Sequence, residues 1–208
     1  MKYVLYYRGY GQALFFIGLV TYVWYFPPAD FFDETWSDTW TDGVGVACLL
    51  LGELLRVWAA SHAKRCTRWR DIKARVLITT GPYAYIRHPI YVGNFLIGLG
   101  MIVLAEAFIF VPPFLVLFTF YYRTIVSAEE TFLKESFGSE FDLYCRLVPK
   151  YIPRVMPRKF SLGRNFPLKE LGTACVIIIS ALFLKWIESP LHRLWIVGLW
   201  YWIEAIVR

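Results

Sequence analysis

The chain has 208 residues, of which 58% are hydrophobic and 18% are charged, and its mean hydropathy is +0.47. A water-soluble globule of this length has too little interior to hide so much apolar surface, so the composition predicts one domain embedded in a bilayer. The net charge of +6 does not indicate a nucleic-acid partner, because the Lys and Arg residues cluster beside apolar segments without a recognition motif. The four cysteines lack metal-ligand spacing, so no metal site is predicted.

The first part of the chain predicts two membrane helices joined by an acidic loop. Residues 9–29 carry no charge and can span the ~30 Å hydrocarbon layer, and the run is too long for the apolar core of a signal peptide. The following loop, 27–42, contains five acids and no Lys or Arg, which indicates the non-cytoplasmic side. A second helix at 43–63 leads to the loop 64–87, whose seven cationic residues against one acid indicate the cytoplasm.

A helical hairpin is predicted between residues 89 and 128. Its only charges are Glu106 and Arg123, and its length is about twice one membrane crossing. We expect the turn between Ala105 and Pro113, where Glu106 and a pair of prolines interrupt the apolar run.

The C-terminal part predicts a polar cytoplasmic segment and a last hairpin. Residues 129–170 carry eight Lys/Arg and six acids, and two short apolar runs follow at 171–187 and 191–207. Six spans would place both termini in the cytoplasm. The predicted fold is therefore an all-α, polytopic transmembrane bundle of about six spans, forming a single membrane domain over residues 1–208.

The most informative segment is residues 81–93, which read GPYAYIRHPIYVG and join a turn to the start of an apolar helix. Arg87 and His88 stand directly before Pro89, a good first helical residue because its missing N–H would have no helical partner there. The pattern therefore places a polar pair at the mouth of a membrane helix. Interfacial anchoring by Arg and Tyr side chains is the alternative explanation for such residues taken singly.

Two further motifs follow this segment: residues 129–144 read EETFLKESFGSEFDLY, and residues 151–154 read YIPR. The patterns GPYxYxRHPxYxG, EExxLxxxFGxEFxxY and YIPR resemble the isoprenylcysteine carboxyl methyltransferase and phospholipid methyltransferase superfamily of integral membrane enzymes. The resemblance covers residues 52–154, and it implies a methyltransferase core at about 43–160 with an extra hairpin at 171–207. The family pattern usually has Tyr where this chain has Phe141, which suggests that this side chain packs and does not donate.

The resemblance implies S-adenosylmethionine as methyl donor, bound in a cytoplasm-facing pocket. This cofactor carries a carboxylate, an ammonium, a ribose diol and a sulfonium, so its site needs a cation, acids and apolar or aromatic walls. Which side chain pairs with which group stays open, and a solvated helix end is the alternative for the two acids. The predicted cofactor-binding residues are Tyr83, Arg87, His88, Pro89, Tyr91, Gly93, Glu129 and Glu130.

Glu53 and Arg56 form an i,i+3 pair inside the second predicted helix. Ionisable residues within a membrane cost free energy and are often functional, although mutual neutralisation in the bundle interior would also explain the pair. The segment also resembles a GxxxR element that precedes the motifs of the family. Arg56 is therefore the candidate catalytic residue, expected to contact an anionic group of the substrate.

Several functions are compatible with these motifs. The favoured one is carboxyl O-methylation of an isoprenylcysteine-type lipidic acceptor, because a carboxylate needs no base whereas an amine must first lose a proton. The alternatives are N-methylation of a phospholipid amine, an NADPH-dependent sterol-type reductase that would share RHxxYxG, and a non-enzymatic membrane protein whose polar clusters anchor lipid headgroups. The expected partners are membrane lipids and the lipidic acceptor.

Overall fold

Six α-helices make up most of the part of the chain that the structure, a computed structural model, describes: residues 2–25, 36–63, 76–153 and 168–188. Short 3-10 turns at Gly81–Ala84 and Phe108–Phe110 precede the third and fourth helices, and no strand occurs in these four ranges. The helices are α1 Lys2–Tyr25, α2 Trp36–His62, α3 Pro89–Leu104, α4 Val111–Phe137, α5 Ser139–Leu147 and α6 Leu168–Glu188.

Three segments are long and apolar enough to cross a membrane: Thr39–His62, Phe108–Phe137 and Glu170–Ile187. Leu14–Tyr25 and Pro89–Leu104 are shorter apolar helices. These segments confirm the predicted all-α membrane class and fit five of the six expected spans. The sixth, 191–207, lies outside the described residues, as do most of the acidic loop and residues 64–75 of the cationic loop. The orientation in the membrane stays a prediction.

Glycines allow α2 and α3 to pack unusually close together. Gly45 and Gly52 of α2 face Gly100 and Gly93 of α3, and within each helix the two glycines lie about two turns apart on one face. A Cβ atom on Gly52 would lie 2.7 Å from the carbonyl oxygen of Gly93, and one on Gly100 would lie 2.9 Å from that of Gly45. Small residues are the usual means of close helix contact in membranes, where apolar burial gives little drive for association.

The main apolar core lies where α1, α2, α3 and α6 meet. Leu19 of α1 and Leu184 of α6 are fully buried, and Met101 of α3 packs in the same cluster. Phe110, before α4, packs against this cluster and contacts the ring of Tyr22 with centroids 5.1 Å apart. The helix α6 is therefore part of the described bundle and not a separate appendage.

The hairpin turn falls where the sequence predicts it, between Leu104 and Val111. Glu106 takes a positive φ of 48°, and Thr41 of α2 donates to its carboxylate at 3.3 Å. The two prolines, Pro112 and Pro113, lie in the first turn of α4, where their missing N–H groups leave no helical bond unmade. They therefore open the second helix of the hairpin.

We predict that Gly52→Ala destabilises the protein, because the new methyl group would meet the backbone of α3. Overpacking of this kind usually costs about 1–3 kcal/mol. Gly43→Ala on the same helix is the control, since a Cβ atom there would meet nothing within 4 Å. Thermal unfolding of the two variants in one detergent measures the difference, and equal melting temperatures would contradict the close-packing role of Gly52.

Candidate functional site

The loop before α3 is shaped so that two polar residues stand at the start of the helix. The backbone N–H groups of Tyr85 and Ile86 both donate to the carbonyl oxygen of Pro82 at 3.0 Å, and α3 begins at Pro89 as the sequence predicts. His88 occupies the N-cap position and is only 7% exposed. The preceding Arg87 is anchored through its own N–H, which donates to the carbonyl oxygen of Pro149 at 3.0 Å.

The carboxylate of Glu130, on α4, collects three donors from two distant parts of the chain. Oε1 accepts from Nη1 of Arg87 at 2.9 Å and from Nε2 of His88 at 3.1 Å. Oε2 accepts from Nζ of Lys150 at 2.8 Å. We call these four residues the Glu130 cluster. The predicted meeting of the Arg87–His88 pair with the acids of α4 is therefore present, because the α3–α4 hairpin returns the chain to the same end of the bundle.

The neighbouring acid, Glu129, extends the cluster toward open space. Oε2 of Glu129 accepts from the hydroxyl of Tyr91 at 2.9 Å and lies 3.8 Å from Nδ1 of His88. The rings of His88 and Tyr91 stack with centroids 5.8 Å apart. Because the side chain of Glu129 is 43% exposed, whereas that of Glu130 is 20% exposed, Glu129 is the acid that can accept from a ligand without leaving its present partner.

Three residues at the site were not predicted from the sequence: Lys150, Cys145 and Tyr144. The thiol sulfur of Cys145 lies 2.9 Å from Nη1 of Arg87, and the hydroxyl of Tyr144 donates to the carbonyl oxygen of Tyr83 at 2.7 Å. Burial raises the pKa values of the Tyr83 and Tyr144 hydroxyls above their ordinary value. The position of Lys150 directly before the YIPR motif was the available signal.

The expectation that Phe141 packs is confirmed. It is 4% exposed on α5 and belongs to an apolar cluster with Tyr144 and Val148. This cluster packs α5 against Leu133 and Phe137 of α4, so a phenylalanine serves the position without a hydroxyl group.

Arg56 lies apart from the Glu130 cluster but is linked to it through α3. A Cβ atom on Gly93 would lie 2.6 Å from Cγ of Arg56, so Gly93 is needed for the close passage of this side chain. The predicted i,i+3 ion pair is present, with Nη1 of Arg56 3.7 Å from Oε2 of Glu53. A closer partner was not predicted: Nη2 of Arg56 donates to Oε2 of Glu170, on α6, at 2.7 Å.

The donor set suits a small zwitterionic ligand such as S-adenosylmethionine. Nε of Arg87 is buried and has no hydrogen-bond partner among the described residues, so it can donate to a carboxylate. Glu129 offers an exposed acceptor for an ammonium or a ribose hydroxyl, and Tyr91 offers an aromatic wall. The residues therefore fit the cofactor that the motifs imply. No group of three or more possible metal ligands occurs in the part of the chain that the structure describes.

We predict that Gly81→Ala lowers the stability of the protein by more than backbone strain alone would. Gly81 has a φ of 63°, and a Cβ atom there would clash with the imidazole ring of His62. Gly138→Ala is the matched control, because Gly138 has a similar φ of 53° with nothing within 4 Å. Both variants carry the strain of about 1–3 kcal/mol, but only Gly81→Ala should also clash.

Thermal melting of the two variants and of the double variant Gly81→Ala with His62→Ala checks the cause. The double variant should recover part of the lost stability, since coupled neighbours give non-additive effects. Additive losses would show that His62 does not limit the space at Gly81.

Comparisons with known proteins agree with the motifs. The family described as "Isoprenylcysteine carboxyl methyltransferase (ICMT) family" matches residues 45–135. The chain is 36% identical over 120 residues to the Protein-S-isoprenylcysteine O-methyltransferase of Schizosaccharomyces pombe, covering 55% of this chain and 50% of that protein. It is 30% identical over 137 residues to the human protein of the same name, covering 64% and 48%.

A relative with a different name matches equally well. The chain is 31% identical over 124 residues to the Nickel-cobalt-cadmium resistance protein NccN of Alcaligenes xylosoxydans xylosoxydans, covering 58% of this chain and 55% of that protein. The chain thus spans about half the length of these curated relatives, and no solved structure matches it. Residues 45–135, which contain Arg56, Arg87 and both acids of α4, are thus similar to the isoprenylcysteine carboxyl methyltransferase family.

Proposed function

We propose that this protein is an integral membrane methyltransferase that moves a methyl group from S-adenosylmethionine to the carboxylate of a lipidic, isoprenylcysteine-type acceptor. One observation carries the proposal: the family motifs around Arg87 and Glu130, far apart in the chain, meet in one hydrogen-bonded cluster. Nη1 of Arg87 lies 2.9 Å from Oε1 of Glu130. The family match and the names of the yeast and human relatives support the reaction type.

The Glu130 cluster is proposed to hold the cofactor. When bound, S-adenosylmethionine supplies an electrophilic methyl group on its sulfonium. Arg87 would bind the carboxylate of the cofactor through its unpartnered Nε, and Glu129 would accept from the ammonium group or the ribose. Lys150 and His88 hold Glu130 in place, so Arg87 stays oriented toward the ligand.

Arg56 is proposed to bind the acceptor. A carboxylate acceptor is itself the nucleophile, so the protein needs to align it and exclude water but does not need to remove a proton. His88 fits this division of work, because its Nε2 is already engaged with Glu130. Membrane lipids would deliver the acceptor between helices, and the cationic loops predict that the cofactor site and both termini face the cytoplasm.

The acceptor is the part of the proposal that the relatives support least. The metal-resistance protein NccN is similar over 58% of this chain and has a name that mentions no prenylated protein. Phospholipid amines therefore belong in the acceptor panel beside prenylcysteine carboxylates. Transfer of a labelled methyl group to each member of that panel decides between O-methylation and N-methylation, and NADPH-dependent reduction of a sterol-type substrate without methyl transfer would contradict the proposal.

We predict that Glu130→Gln abolishes binding of S-adenosylmethionine while the protein still folds. Loss of the negative charge would leave Arg87 and Lys150 without their shared counter-ion, so Arg87 would turn away from the ligand. Glu135→Gln, an exposed change on the same helix, is the control. The measurement is the ligand-induced rise in melting temperature, since a ligand at one hundred times its Kd stabilises by about 2.7 kcal/mol.

The pocket assignment is wrong if Glu130→Gln and Glu135→Gln keep the same cofactor affinity. A loss of affinity in both variants would instead point to a general effect of charge at the end of α4.

We predict that Arg56→Met abolishes methyl transfer and also lowers stability, because it leaves two carboxylates without their cation. Removing one partner of a buried ion pair usually costs about 3–5 kcal/mol. Neutralising both acids in the triple variant with Glu53→Gln and Glu170→Gln should restore folding and cofactor binding. Methyl transfer should stay lost, and its recovery in the triple variant would show that Arg56 is only a structural partner.

A further inference from the structure

The C-terminal helix supplies the closest counter-ion of Arg56. Nη2 of Arg56 lies 2.7 Å from Oε2 of Glu170 and 3.4 Å from the hydroxyl of Thr173, both on α6. Glu53, on the same helix as Arg56, is farther away at 3.7 Å. Glu170 lies outside residues 45–135, so this contact reaches beyond the stretch that matches the family. It joins a residue of the family core to a helix beyond it.

Arg56 has more binding capacity than its present partners use. A guanidinium carries five N–H donors and can hold a carboxylate through two parallel hydrogen bonds. Only Nη2 hydrogen-bonds a carboxylate among the described residues, and Nε is buried without a partner there. The side chain is 15% exposed, so a further anion could reach it only by moving one of the acids that now surround it.

Repulsion between carboxylates requires one of the two acids at Arg56 to move when an anion binds. Two carboxylates already face one guanidinium, and a third would add negative charge in a poorly hydrated place, where charges interact strongly. Glu170 is better placed to leave than Glu53, because its side chain is 22% exposed against 14%. It also lies in the first turn of α6, where the helix dipole stabilises an acid that has lost its cation.

This ion pair lies beside the motif residues and not in a remote part of the bundle. The Arg56 side chain passes Gly93 of α3, two residues after Tyr91. Burial is the main cause of the raised pKa of Tyr83, and the carboxylates of Glu129 and Glu170 add to it. Both acids therefore lie within electrostatic reach of the loop that carries Tyr83. An anion exchanged at Arg56 would therefore lie against the same helix, α3, that carries Tyr91 of the proposed cofactor site.

We propose, on the basis of the function proposed above, that Glu170 occupies the place of the acceptor carboxylate on Arg56 and is displaced when an anionic acceptor binds. Glu170 is then a positioning residue, and α6 sets the affinity for anionic acceptors. The apparent affinity of an acceptor is reduced by the fraction of protein in which Arg56 is already occupied. Neutral ligands do not compete with Glu170 and are unaffected by it.

The test uses the full chain in lipid nanodiscs and compares Glu170→Gln with Asp42→Asn. Asp42 pairs with Lys185, so the control breaks an ion pair between the same two helices at the other end. The substrate is N-acetyl-S-farnesylcysteine, an anion with a free carboxylate, methylated from labelled S-adenosylmethionine. The amide of N-acetyl-S-farnesylcysteine serves as a neutral competitive inhibitor.

Glu170→Gln should lower the KM for the carboxylate acceptor by about threefold or more, because the competing charge is gone. The KM for S-adenosylmethionine and the inhibition constant of the amide should stay at wild-type values. Asp42→Asn should leave all three unchanged. Glu170→Asp keeps the charge but shortens its reach, so its acceptor KM should lie between those of the wild type and Glu170→Gln.

The outcomes separate the two proposals. If the wild type methylates the acceptor but its KM is the same or higher in Glu170→Gln, Glu170 does not occupy the acceptor position and this inference is overturned alone. An equal fall in KM in Asp42→Asn would overturn it too, since the effect would then come from loosening α6. If Glu170→Gln does not fold, an unchanged KM in Glu170→Asp overturns it. A wild type that methylates no carboxylate acceptor overturns the proposed function together with this inference.

Discussion

The shared carboxylate of Glu130 is the interaction on which the site depends. It binds donors from the loop before α3 and from the segment after α5, so three separate stretches of the chain meet on one side chain. A buried carboxylate is tolerated only when it is well paired, and the same holds for the cations around it. The cluster is therefore interdependent: Arg87 keeps its orientation only while Lys150 and His88 hold Glu130.

The second constraint is the close contact of α2 and α3, which sets where Arg56 can lie. Without side chains at Gly52 and Gly93 the two backbones approach until the stem of Arg56 passes directly over α3. The contact thereby brings the intramembrane cation beside the residues that follow the Arg87–His88 pair. Packing of small residues, and not a polar interaction, links the proposed acceptor group to the proposed cofactor group.

Much of the fold was predictable, because membrane helices can be recognised in a sequence from the length of their apolar runs and the charges that flank them. The start of α3 at Pro89, its end at Leu104 and the turn before α4 follow from a proline, an apolar run and a charged interruption. The meeting of the Arg87–His88 pair with the acids of α4 was predicted from the resemblance and the hairpin length, but the specific pairing of Arg87 with Glu130 was not. The pairing of Arg56 with Glu170 was not predicted either, because the two residues are 114 positions apart and the nearer Glu53 offered a sufficient local partner. Contacts between separate helices cannot be read from the spacing of neighbouring residues in the sequence.

The exchange proposed at Arg56 also has a consequence for the end of the reaction. Methylation converts an anionic carboxylate into a neutral ester, which can no longer form an ion pair with a guanidinium. Arg56 would then keep only the more distant carboxylate of Glu53 as a counter-ion, which is a weaker pairing in a poorly hydrated place. Glu170, still at the first turn of α6, is the nearest acid able to return, and its return at 2.7 Å restores the resting pair. The same side chain that opposes binding of the acceptor would therefore favour departure of the product into the membrane.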